Sequence, residues 1–95
     1  MLVVTAKIKI KPGTEAIFLE KAKPLIEGSR AEKGCIEYGL YKSTEEENTF
    51  MMIEQWQNQE IFDKHAASAH FKQFGTDAGP LFAAELDIKV YSVSE

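Results

Sequence analysis

The chain opens with VVTAKIKIK, residues 3–11, where apolar and polar positions alternate. Val4, Ala6, Ile8 and Ile10 fall on one face, and Val3, Thr5, Lys7 and Lys9 on the other. A period of two predicts a half-buried strand, because successive side chains leave a strand on opposite sides. Pro12-Gly13 breaks it. Thr14 then serves as a helix N-cap, with Glu15 in the first turn, where a carboxylate meets the positive end of the helix. Phe18, Ala22, Leu25, Ile26 and Ser29 recur at helical spacing. They predict a helix to about Lys33, with Gly34 as its C′ residue. Pro24 cannot donate to the Glu20 carbonyl and predicts a kink.

CIEYGLYKS, residues 35–43, reads as a second strand, with Ile36, Tyr38 and Leu40 on one face. After the charged loop TEEEN comes TFMMIEQWQ, residues 49–57, a third strand. Phe50, Met52, Glu54 and Trp56 share one of its faces, and Met51, Ile53 and Gln55 the other. Asn58 caps a helix over about 59–68, HFKQF adds a further helical turn, and GTDAGP punctuates. A short turn is expected within 76–83, and ELDIKVYSV, residues 85–93, forms a fourth strand. The order β-α-β-β-α-β predicts an α+β, ferredoxin-like fold: one antiparallel sheet with helices on one face, in a single domain over residues 1–95. A two-layer sheet ordinarily turns a polar face to water. Here Val3, Met51, Ile53, Tyr91 and Val93 gather on the outer side. An apolar patch of that kind predicts a homodimer in which two sheets pack face to face.

Composition narrows the partners. The chain has 95 residues, 44% of them hydrophobic, and a formal charge of −4. With no Lys/Arg cluster, nucleic acid is not an expected partner. The single cysteine, Cys35, leaves no intramolecular disulfide and fits a reducing cytoplasm. No apolar run approaches the roughly 20 residues that span a bilayer, and the N-terminus lacks a signal-peptide pattern. A soluble, cytoplasmic protein without a membrane partner is expected.

Candidate chemistry concentrates in Glu54–Phe74, which holds the only tryptophan and both histidines. Glu54 sits between Met52 and Trp56 on an apolar strand face, and a buried carboxylate needs a partner or a raised pKa. Trp56 on that face is either core or a pocket wall. His65 follows Ile61 by four residues and Phe62 by three, which turns it inward. It is either a satisfied core residue or a proton carrier. His70, five residues later, would point about 140° away on a continuous helix. It meets His65 only if the chain bends near Ser68, and otherwise braces the next turn. The i, i+5 spacing, with no cysteine pair, does not predict a metal site. No glycine-rich nucleotide loop occurs, and Cys35 reads as a structural thiol.

In order and spacing, the strand-Pro-Gly-helix opening, GCIEY, Phe50-x-x-x-Glu54-x-Trp56 and His65-x-x-x-x-His70-Phe71-Lys72 resemble the antibiotic biosynthesis monooxygenase (ABM) family along essentially the whole chain. Among its branches the pattern is most similar to the small quinol monooxygenase-like members. The resemblance implies a dimeric α+β barrel and, in active members, oxygen insertion without metal or flavin. Heme-degrading relatives use an Asn on the first strand, a Trp on the third and a His beyond the second helix. This chain keeps Trp56, but has Ala6 near the Asn position and Gly75 near the His position. A branch that isomerises a phosphorylated sugar derivative (autoinducer-2 processing) shares the strand-three Glu and the two spaced histidines.

Three functions are therefore weighed. The first is a cofactor-independent monooxygenase acting on a quinol or polyphenol with O2. Its base is His65, with Glu54 or His70 orienting or relaying, and Trp56, Tyr38, Phe71, Phe74 and Met52 lining the substrate pocket. The second is an isomerase or tautomerase of a small hydroxy-ketone, anchored by Lys72 or Lys7. The third is a non-catalytic module that binds an aromatic ligand.

Overall fold

In the structure, a computed structural model describing residues 1–94, alternation produces the sheet. Strands β1 (Leu2–Lys9), β2 (Cys35–Lys42), β3 (Thr49–Trp56) and β4 (Asp87–Ser92) form one antiparallel sheet in the order β2-β3-β1-β4. Helices α1 (Glu15–Arg30), α2 (Gln59–Ala66) and α3 (Ala69–Ala78), with a 3-10 turn at Gly79–Leu81, complete the β-α-β-β-α-β order. This is the expected α+β, ferredoxin-like arrangement. Between sheet and helices lie Val4, Ile8, Phe18, Leu25, Phe50, Met52 and Trp56, all buried. They are the inward set of β1 and β3 together with the apolar stripe of α1.

Several local expectations change. α1 stops at Arg30 rather than Lys33, and Ala31 is its C-cap. Gly34 is therefore not the C′ residue. It lies at φ +86°, where its missing Cβ makes room for Ile61 of α2. The Thr14 hydroxyl does not cap α1; it donates to the Lys11 carbonyl. In β2 the pairing slips between Cys35 and Glu37. A bulge of this kind re-aims one side chain, and Ile36 is exposed instead of sharing the face of Tyr38. The HFKQF turn is part of a ten-residue helix of its own, α3.

Register settles the two faces. Met51, Ile53 and Gln55 of β3 sit opposite Lys7, Thr5 and Val3 of β1, and Val3 opposite Tyr91 of β4. The outward group thus lies side by side. The helices leave β4 bare: Ile88 and Val90 oppose the inward Ala6 and Val4, yet are 48% and 46% exposed. No helix is long and apolar enough to cross a membrane among the described residues.

Candidate active site

The site forms where β3 leads into α2. Asn58 adopts an extended conformation and its side chain accepts from the Ile61 amide, which starts α2 directly after the strand. One turn and a half later His65 points down onto the sheet, 1% exposed. Glu54, 5% exposed, reaches up from β3. The Trp56 indole Nε1 donates to Glu54 Oε1 at 2.9 Å. That same oxygen lies 3.9 Å from His65 Nε2.

Aromatic rings surround the imidazole. Its centroid lies 4.5 Å from that of Trp56, 5.1 Å from Phe71 and 5.4 Å from Tyr38. These rings withdraw water from it.

The electrostatics follow from burial. Loss of water pushes the Glu54 carboxyl up from 4.5 to about 7, against the lowering effect of the Trp56 hydrogen bond. Burial pushes His65 below its ordinary 6.5, partly opposed by a hydrogen bond and charge from Glu32. Near neutral pH the pair is therefore a neutral imidazole facing a carboxyl close to half protonation. Burial thus favours the uncharged form of each group, so that one can accept a proton while the other can hold one. Burial, and then the nearby Glu54 charge, push the Tyr38 phenol well above its ordinary value, so it stays a neutral hydroxyl.

α2 ends at Ala66, and Ser68 begins α3 by accepting from the Phe71 amide while donating to the His65 carbonyl at 2.6 Å. This break turns His70 back toward His65, and the ring centroids are 6.0 Å apart. Between them stands Glu32, from the turn joining α1 to β2. Its Oε2 accepts from His65 Nδ1 at 2.7 Å and from His70 Nε2 at 3.0 Å. Glu32 was not among the residues that sequence reasoning selected. A helix carried on to Lys33 would have left it an ordinary solvated acid.

A cavity of about 50 Å3 opens beside the pair, lined among others by Tyr38, Met52, Glu54, His65, Phe71 and Phe74. Trp56 and His70 are outside its wall. Trp56, fully buried, lies beneath the imidazole and holds Glu54; His70 is on the far side, behind Glu32. The reason is register for Trp56, at the sheltered end of β3, and the Ser68 break for His70. Leu86 and Ile88 line the flank under β4, where the helices give no cover. Among the described residues, Lys7 and Lys72 do not line it; Lys7 sits on the outer face, paired with Glu46 at 3.1 Å.

Glu32, His65 and His70 each offer one donor atom, all within 4.8 Å of one another, and could hold a cation. Their spacing is nonetheless that of hydrogen bonds. Zinc ligands at 2.0–2.1 Å from a tetrahedral ion stand roughly 3.3 Å apart, so a cation would have to push the shared carboxylate oxygen out of its place.

The ferredoxin-like α+β sheet defines the fold class, and sequence comparison places the chain in a family. The profile of the family described as "Antibiotic biosynthesis monooxygenase" matches residues 1–76. The chain belongs to this family. It is 39% identical over 95 residues, covering all of both chains, to a Bacillus subtilis (strain 168) protein named "Putative monooxygenase YcnE". A conserved protein from Methanosarcina mazei Go1 superposes with a TM-score of 0.91 at 33% identity, over 95% of this chain and 89% of that one. A solved structure described as an antibiotic biosynthesis monooxygenase superposes with a TM-score of 0.92 at 26% identity, over the full length of both.

Proposed function

We propose that this protein is a monooxygenase that oxidises a small quinol or polyphenol with O2, using no metal or flavin. The observation that carries the reading is the 3.9 Å approach of His65 Nε2 to Glu54 Oε1 beside an apolar cavity. A hydroquinone is a poor partner for triplet oxygen until a phenolic proton leaves. His65 Nε2 takes that proton. The electron-rich anion then passes an electron to O2, and recombination places a peroxide on the ring. The proton returns, from imidazolium or from the Glu54 carboxyl, to the departing oxygen. Quinol and O2 become a hydroxylated quinone and water, so protons and electrons balance within the pair of reactants. The apolar, water-poor surroundings strengthen each charge interaction on the way.

The enclosed space of about 50 Å3 is well below the ~150 Å3 cavity known to hold benzene. The ring therefore enters from the bare β4 flank, past Leu86 and Ile88, and the cavity widens as it seats. A second copy packed on the outer sheet face and along β4 would close that flank. An isomerase acting on a phosphorylated substrate would need a cation at the cavity, and neither Lys7 nor Lys72 supplies one.

Oxygen uptake with menadiol-like quinols, with and without the protein, tests the proposal. Protein-dependent uptake, with one hydroxylated quinone formed per O2, is expected. Uptake no faster than autoxidation across a panel of quinols and polyphenols would refute it.

A further inference from the structure

We infer that Glu32 is the positioning residue of the base, and that His70 is the anchor that holds Glu32 in place. This rests on the reading of His65 as the base.

Glu32 leaves from a turn whose backbone is pinned on both sides. Its amide donates to the Ser29 carbonyl at 3.1 Å, and its carbonyl accepts from the Cys35 amide at 3.2 Å. The carboxylate is thus presented from a fixed point. It receives donors from two different helices on a single oxygen, 2.7 Å from His65 and 3.0 Å from His70. The first bond puts the ring proton on Nδ1 and leaves Nε2 bare, facing Glu54 and the cavity. A base in the other tautomer would present N–H to the substrate and take nothing. A carboxylate behind an imidazole also stabilises the imidazolium that forms.

Gly28 is the independent sign that His70 is seated by design of the sequence. It lies inside α1, where glycine costs roughly 0.5–1 kcal/mol relative to alanine. A Cβ there would stand 2.8 Å from His70 Cγ and 3.0 Å from Nδ1. The helix omits a side chain where the imidazole lies against it. Without that gap the ring would be pushed off Glu32.

The titratable groups facing His65 are Glu32 from the α1–β2 turn, Glu54 from β3, Tyr38 from β2 and His70 from α3. Glu32 is the one that raises the imidazole pKa against its burial. Its loss moves the acid limb of the rate profile to lower pH and weakens the base.

The experiment combines 15N-histidine NMR of the full chain with steady-state kinetics. In the wild type, His65 is expected in the Nδ1–H tautomer with a protected ring proton. Glu32→Gln is expected to mix the tautomers, lower the acid-limb pKa and cut kcat by about 10-fold or more, the range for carboxylate partners of metal-bound histidines being about 10- to 100-fold and that for a carboxylate behind a general base up to about 10⁴-fold, with KM within about twofold. Gly28→Ala keeps every titratable group. It is expected to give a smaller kcat loss and a more mobile His70, and to add nothing in a His70→Ala background, where the clash is gone. An unchanged His65 tautomer in Glu32→Gln, or equal Gly28→Ala effects with and without His70, would overturn the inference. The tautomer is read without substrate, so a wild type inactive on every quinol would refute the proposed reaction while leaving this result to stand or fall separately.

Discussion

Val4 and Val90 face each other across the β1–β4 ladder on the same side of the sheet, yet one is in the core and the other is 46% exposed. The difference is the helical layer. α1, α2 and α3 cover β2, β3 and β1 and stop short of β4. On the covered side, water is excluded thoroughly enough to raise the Glu54 pKa and lower that of His65. On the bare side, apolar residues wait for a cover. The cavity lies at the seam, with the proton chemistry on one wall and its opening on the other. A site built this way gains low dielectric from the fold and access from the fold's incompleteness.

The covered side breaks first at the base. His65→Ala is expected to lower turnover of a quinol by roughly 10²–10⁴-fold if His65 is the general base, measured as oxygen uptake, with near-UV circular dichroism checking that the core persists. Turnover within threefold of wild type would remove His65 from the mechanism.

Glu54→Gln probes what exclusion of water costs. The folded carboxyl titrates at about 7 rather than 4.5. The folded state therefore keeps a proton that the unfolded chain releases between these values. The stability tied to this proton is complete below pH 4.5 and is lost as pH rises through 7. Glutamine removes that loss while its oxygen still accepts from Trp56. The variant is expected to be more stable than wild type by up to about 3 kcal/mol at pH 8, with the gain shrinking toward pH 4.5. Urea unfolding at both values checks it, and a pH-independent difference would deny the buried titration.

Val4 and Val90 supply the direct comparison. Val4→Ala is expected to cost about 2 kcal/mol for two lost methyl groups and the cavity left behind. Val90→Ala is expected to cost under about 0.5 kcal/mol in a dilute monomer. If a second copy covers β4 and the outer face, the Val90 cost rises with protein concentration. Ile53→Asp on the outer face should then abolish that rise and shift the sedimenting species to one chain.

A milder effect than that of Val4→Ala concerns the helix break. Ser68→Ala removes the cap that starts α3 and is expected to cost about 1 kcal/mol. It should also loosen His70, read as faster exchange of its ring proton.

Much of this was visible along the chain. Period two set Glu54 and Trp56 on the inner face of β3, and helical spacing brought His65 inward, so the central pair came from local pattern. The outer apolar group was legible for the same reason. Glu32 was not, because AEKG reads as a polar helix end. Its importance depends on α1 ending at Arg30 and the turn folding over α2. Gly28, a glycine inside a helical pattern, was the available sign that something packs closely there, but nothing local named His70 as the neighbour. Ile36 was misassigned since a bulge leaves no trace in alternation.

What the sequence determined by itself is therefore what depends on neighbours one to four positions away: four strands, an amphipathic α1, the inward Glu54 and His65, and the possibility of a bend at Ser68. The tertiary structure decided which groups meet. Glu32 joins His65 across 33 positions and His70 across 38, and Trp56 is beneath the pair rather than on the cavity wall. Side-chain direction is a local property of the backbone. Burial, and with it the raised pKa of Glu54 and the lowered pKa of His65, exists only after distant elements have closed over one another and removed the water.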